Sequence, residues 1–323
     1  MSNPRVLCLG EILYDVLADQ LGRSLGEVES WTSYPGGAPA NVACALVKLG
    51  TSSGFIGAVG EDEPGNELVK LLEEVGVDTT GVQRHPEAPT RQVLVTRKQN
   101  GDRVFSGFKD YDTATFADTR LKAAKLPEKL FATAEILAIG TLELAYPETG
   151  AAVHQALELA SQHNVKILLD VNWRDVFWKN PDAAPDKIRE LIKKVDFLKL
   201  AKEEAELLFD TYDAGAITYR VNTLEGVLVT DGDKGCAYCL GENEDKLPAF
   251  SVPVVDTTGA GDSFVAGFVH QLLNYGVQNL KDAEIVKKII AYASAAGALT
   301  TLKPGAIASQ PTAEEVEKFL QEN

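Results

Sequence analysis

Strand-sized apolar runs alternate with amphipathic helical runs along most of the chain. They fall at 6–9, 40–49, 55–59 and 66–75, and again at 136–139, 149–162, 167–171, 186–194, 197–200, 202–209 and 227–230. Parallel strands need a crossover between them, and a helix is its usual form. The expectation is therefore an α/β fold, a mostly parallel central sheet with helices on both faces. With 323 residues, 45% of them hydrophobic, the chain can bury a large core, and it reads as one domain spanning 1–323.

Two stretches break the rhythm, at about 13–34 and 91–113. The second holds two β-branched runs flanking Asn100-Gly101, the strongest hairpin signal in the sequence. Neither stretch has a helix to cover it, so together they are expected to form a small β-sheet lid against the sheet's rim or a second subunit. Residues 210–222 are weakly patterned and read as a surface excursion. A helix is expected over 281–301, with Ile285, Ile289, Ala293 and Ala296 on one face, and another at 312–320, where Thr312 and Glu315 have capping-box spacing.

Charge narrows the partners. A net charge of −16, with no basic tract to offset it, argues against nucleic acid and anionic membrane. No apolar run reaches the roughly 18 residues of a membrane span, and the N-terminus does not read as a signal peptide. Four cysteines, including a CxxC at Cys236 and Cys239 without a second ligand pair, point to structural thiols in a reduced cytoplasm.

Candidate chemistry gathers at two glycine-rich corners. In the first, Pro35-Gly36-Gly37-Ala38-Pro39-Ala40-Asn41 precedes a helix; it reads either as a tight turn with a capping amide or as the floor of a pocket in which Asn41 meets a polyhydroxy ligand. Asp15, just beyond the first strand, offers a matching acceptor. In the second, a strand expected over 250–255 hands over through Asp256-Thr257-Thr258-Gly259-Ala260-Gly261-Asp262 to an apolar helix. Gly259, Ala260 and Gly261 then present backbone donors to a phosphate. Asp262 reads first as an acid complementing the helix dipole and second as a base taking a hydroxyl proton; at a helix N-terminus it should be ionised and weakly basic. Leu169-Asp170-Val171-Asn172-Trp173-Arg174 puts polar groups at a strand's carboxyl end, where open α/β sheets bind ligands. Glu204 reads as a first-turn acid or as a carboxylate acting on metal-bound water, and Thr230 to Gly235 as a hairpin turn or a phosphate loop. Walker A, Gly-x-Gly-x-x-Gly, His-Glu-x-x-His and Gly-x-Ser-x-Gly patterns are missing.

Together, Gly36-Gly37-Ala38-Pro39-Ala40-Asn41 and Asp256-Thr257-Thr258-Gly259-Ala260-Gly261-Asp262 resemble the two signatures of the ribokinase-like (PfkB) carbohydrate kinases, over essentially the whole chain. Gly10-Glu11 and Phe55-Ile56-Gly57-Ala58-Val59-Gly60 make fructokinases the most similar members. The resemblance implies transfer of the ATP γ-phosphoryl group to the 6-hydroxyl of D-fructose. It makes Asp262 the base, with Gly259, Ala260 and Gly261 as the anion hole and Arg174 beside the transfer path. Asp15, Gly36, Gly37, Asn41, Asn172 and Lys109 would hold the sugar, and Lys199, Thr230, Gly232, Gly235, Ser294, Gly297 and Lys303 the nucleotide. It also implies magnesium with ATP, met through water by Glu204, admits potassium beside Asp256 and Thr258, and fits a homodimer through the lid. The departures are Ala201 for a common asparagine, Lys109-Asp110 for Arg-Asn, and Ser294 for an asparagine near the adenine. They leave a kinase of ribose, 2-keto-3-deoxygluconate or a nucleoside as the rival within enzymes, and a non-catalytic binding protein as the rival outside them.

Overall fold

A computed structural model describes residues 3–99, 103–108 and 112–323. Among them, thirteen strands form two sheets. The larger is built from β1 (Val6–Leu9), β4 (Ser53–Gly60), β5 (Asp78–His85), β8 (Ile136–Ile139), β9 (Lys166–Asp170), β10 (Phe197–Ala201), β11 (Gly226–Thr230), β12 (Cys236–Leu240) and β13 (Asn243–Leu247), in the order β13-β12-β11-β10-β9-β8-β1-β4-β5. Pairing is parallel from β5 to β11, and β12 and β13 complete one edge as an antiparallel meander.

Because successive side chains point to opposite faces, one strand feeds two cores. Leu7 and Leu9 join one apolar cluster, Val6 and Cys8 the other. The first cluster lies under α4 (Pro147–Gln162), α5 (Ala184–Ile192), α6 (Lys202–Phe209) and α7 (Ala214–Arg220), with the short α3 (Glu128–Phe131) at its margin. The second lies under α1 (Ala38–Lys48), α2 (Glu63–Val75), α8 (Ala260–Tyr275), α9 (Ala283–Thr300) and α10 (Ala313–Glu322). Helices thus cover both faces, and the expected α/β architecture holds.

The smaller sheet contains β2 (Leu13–Leu21), β3 (Trp31–Gly36), β6 (Gln92–Arg97) and β7 (Arg103–Gly107), ordered β3-β2-β6-β7. Its inner face does not wait for a partner: Leu13, Leu17, Val93 and Val95 are buried in the first core cluster. Arg91, just before β6, is 1% exposed, bound by Asp118 at 2.5 and 2.9 Å and ringed by Phe108, Phe116, Tyr146 and Phe177. That buried pair fixes the root of the small sheet to the body. The Asn100-Gly101 turn lies outside the described residues.

Two expectations need correction, and two strands were not expected. The strand at 250–255 is irregular chain, with Val254 and Val255 exposed at 58% and 63%, because β13 has already closed the sheet's edge. The supposed surface excursion at 210–222 contains α7, whose Asp213 accepts the N–H of Ala216 and whose Ala214 and Ile217 are buried; its short apolar stripe hid in a polar segment. The strands β5 and β13 were missed because polar residues dominate both. The capping box is present as expected, with the Glu315 N–H donating to Thr312 Oγ1 and the Thr312 N–H to Glu315 Oε2.

Candidate active site

Both glycine corners stand at the carboxyl edge of the large sheet, and a single hydrogen bond joins them. Asn41 Nδ2 donates to Asp262 Oδ2 at 2.7 Å across 221 residues of sequence. The other amide atom, Asn41 Oδ1, is buried without a hydrogen-bond partner.

The first corner is set by backbone crowding. Gly37 has φ 104°, and a Cβ there would lie 2.5 Å from the Glu11 carbonyl oxygen. Only glycine meets both conditions. The next amide, Ala38 N–H, donates to Glu11 Oε1 at 2.8 Å, and Pro39 follows at a helix start that tolerates its missing N–H. Gly36 ends β3 opposite Leu13, and a Cβ on it would come 3.0 Å from Asp15 Oδ2. Asp15 thus lies beside Gly36, and the Asn41 N–H donates to Gly37 O at 2.8 Å, so the four residues fall in one corner. Lys109, with Asp110, lies outside the described residues.

At the second corner Gly259 turns the chain with φ 77°, and the helical ladder begins where Ser263 N–H meets Gly259 O at 2.9 Å. The amides of Gly261 and Asp262 precede that first rung. The Ala260 amide differs from expectation: it donates to Thr257 O at 3.2 Å and is already engaged. Asp256 braces the turn, accepting from Thr258 N–H at 3.0 Å, Thr258 Oγ1 at 2.7 Å and Gly305 N–H at 2.9 Å. The Asp262 carboxyl is pushed up to about 6, chiefly by removal from bulk water, with Asp170 adding to the rise and Asn41, Lys199 and Arg174 opposing it. The helix end was expected to leave a weak base; desolvation outweighs it.

Behind this corner lies a charge cluster that the spacing did not reveal. Lys199 is buried on β10, its Nζ 2.9 Å from Asp170 Oδ1 and 3.4 Å from where a Gly261 Cβ would sit. Burial opposes its charge, yet Asp170, Glu204 and Asp262 raise its pKa on balance. Glu204 accepts Trp173 N–H at 2.8 Å and Ala201 N–H at 2.7 Å, tying α6 to the loop after β9. In that loop Asn172 takes φ 35°, and Arg174 is exposed, with a long 3.5 Å bond to Trp173 O. Gln310 went unnoticed in the sequence: its Nε2 donates to Asn41 O at 2.8 Å, from a C-terminal segment with no periodic signal.

A family model described as pfkB family carbohydrate kinase matches residues 3–313. The chain belongs to that family. The kinase is 35% identical to fructokinase-2 of Zea mays over 98% of this chain and 94% of that relative, and 33% identical to fructokinase-1 of Oryza sativa subsp. japonica over 98% and 97%. Among solved structures it resembles fructokinase of Xylella fastidiosa with bound ATP, at TM-score 0.88 and 27% identity over 98% of both chains. It also resembles a double-mutant fructokinase of Vibrio cholerae O395 in fructose, ADP and potassium ion bound form, at TM-score 0.85 and 25% identity over 99% of both.

The positions expected to meet a nucleotide spread beyond the kinase's two corners. Thr230, Gly232 and Gly235 form the β11–β12 connection, where a Cβ on Gly235 would lie 2.0 Å from Leu247 O, so backbone crowding already explains that glycine. Ser294 is half-buried on α9, and Gly297 lets α9 approach α8, its Cβ position being 3.0 Å from Ala260 O. Lys303 is exposed in the turn after α9. A surface groove of about 660 Å³ opens elsewhere, between Glu206, Asp210, Tyr212, Asp213 and Lys246. Its size does not make it the site: the convergent polar groups are at the glycine corners. Among the described residues no helix is long and apolar enough to cross a membrane, and no three His, Cys, Asp or Glu residues gather to hold a metal.

Proposed function

We propose that this carbohydrate kinase transfers the γ-phosphoryl group of ATP to the 6-hydroxyl of D-fructose, with Asp262 as the base. The observation that carries the reading is the 2.7 Å bond from Asn41 to Asp262, which sets the sugar corner against the helix end suited to a phosphoryl group. The fructokinase names of the relatives and the fructose and ADP of the Vibrio structure support the substrates.

In this scheme Asn41, Asp15 and the Gly36-Gly37 floor hold the sugar so that its hydroxyl faces Asp262. Asp262 takes the proton as the oxygen–phosphorus bond forms, and the bond to the bridging oxygen breaks to release ADP. The amides of Gly261 and Asp262, with the guanidinium of Arg174, meet the charge on the moving group. A carboxyl near 6 is ionised at neutral pH yet more basic than an exposed aspartate, which suits proton transfer late in the step. Magnesium, carried by the nucleotide phosphates, would neutralise their charge. Glu204 fits it only through water, since both its oxygens already accept backbone amides. Asp256 and Thr258 are committed to the turn in the same way and fit a potassium ion by ordering nearby carbonyls rather than by free carboxylate oxygens. A two-fold partner across the small sheet would cover its edge strands β3 and β7 and the exposed Leu21 and Val104.

The test is coupled ADP release with fructose, ribose, 2-keto-3-deoxygluconate and a nucleoside as acceptors. Fructose is expected to give the highest kcat/KM; a higher value for any other acceptor would overturn the substrate, and no ADP release with any would overturn the catalytic reading.

A further inference from the structure

Away from Asp262, a pair of acidic side chains lies against the sugar corner, and among the described residues neither forms an ion pair with a cation. Glu11 and Glu143 are 7% and 3% exposed, and each buried carboxyl raises or tunes the proton affinity of the other. The backbone of Gly10, the residue before Glu11, lies against both Pro39 Cγ and Glu143, and a Cβ on it would fall 2.7 Å from Glu143 Oε1. Glu11 Oε1 accepts the Ala38 N–H at 2.8 Å, while Glu143 Oε2 is buried with no partner. Two carboxylates cannot both be ionised in contact within a dry site, so the pair must keep a proton.

We propose that Glu143 is a positioning residue for the sugar corner, holding a proton that it donates to the Glu11 carboxylate so that Glu11 can fix the Ala38 amide and the Gly37 turn. Surrounding charges do not replace that proton. Asp118 faces the pair from the segment before α3, but Arg91 is bound to it. Lys187 of α5 reaches the carbonyl of Leu144 rather than a carboxyl. Asp170, beyond Gly140, is paired with Lys199. Burial pushes Glu11 up to about 7 and Glu143 well above its ordinary value, in keeping with a retained proton.

The sign of the pH effect follows from linkage. The folded pair binds a proton that the unfolded chain releases near the ordinary glutamate value, so stability is greatest at low pH and is lost as pH rises through the folded values. The kinetic half of the test rests on the sugar-kinase reading; the thermal half does not. Full-length wild type, Glu143→Gln and Glu143→Leu are compared in melting temperature and fructose KM between about pH 6.5 and 9.5. The wild type is expected to lose melting temperature and gain KM as pH rises. Glu143→Gln, whose amide donates to Glu11 at every pH, should flatten both trends. Glu143→Leu, with no donor, should raise KM about tenfold throughout. Equal pH slopes in wild type and Glu143→Gln would overturn the proposal. Should no variant phosphorylate fructose, the function assignment fails while the melting slopes still decide the pair; should Glu143→Leu not fold, Glu143→Gln decides it.

Discussion

Helices α1 and α8 both start at a glycine on the same edge of the sheet, yet their first turns are finished in opposite ways. The leading amide of α1 is taken by Glu11, a carboxylate from the chain itself. The Gly261 and Asp262 amides of α8 precede its first rung, and its N-cap, Gly259, has no side chain with which to cap them. A helix end satisfied by the protein is a rigid floor, whereas an uncapped one keeps its donors and dipole for an external anion. In the function proposed above, glycine-rich corners of similar composition thus serve a neutral sugar on one side and a phosphoryl group on the other.

The largest effect expected from this contrast is at Asp262. Asp262→Asn should lower kcat by about two orders of magnitude or more while calorimetry still detects fructose. A kcat within tenfold of wild type would remove the base from the phosphoryl side altogether. The glycines sharpen the division. Gly259→Ala must hold φ 77° and place a methyl 2.7 Å from Ala306 Cβ, which should cost about 1–3 kcal/mol of stability and act on kcat and the KM for ATP. Gly37→Ala meets the Glu11 backbone oxygen instead and should act on the fructose KM, by about tenfold or less. If both variants perturb the same constant, the two corners do not divide the work.

The same contrast shows what could be read in advance. Period and motif are local, so the βαβ rhythm, both glycine corners and the Thr312 cap were legible. Whether a helix end is filled is decided by distant residues: Glu11 is 27 positions from Ala38, and Asn41 is 221 from Asp262. Lys199 entered only among the nucleotide contacts that the resemblance implies, and its pairing with Asp170 beneath Gly261 is set by folding alone. The basicity of Asp262 was misjudged for that reason, since the dipole is written in the helix signal but desolvation comes from the surrounding chain.

The smallest predicted effect is a pH shift, and it links the two corners. Asp262 must be ionised to act, so kcat/KM should rise as pH passes through about 6, before the rise in KM expected of the Glu11–Glu143 pair lowers it again at higher pH. The Asn41 amide favours the ionised form, so Asn41→Ala should displace this acid limb to higher pH, besides any loss in sugar binding; an unmoved limb would show that the bond does not tune the base. Stability should run the other way. With the folded value raised from 3.8 to about 6, the native state holds a proton that the unfolded chain gives up, so this carboxyl's contribution is lost as pH rises through that window. Rate and melting temperature should therefore run in opposite directions between about pH 4 and 6 in the wild type, and Asp262→Asn should remove the acid limb together with this carboxyl's share of the melting slope, leaving the share of the Glu11–Glu143 pair.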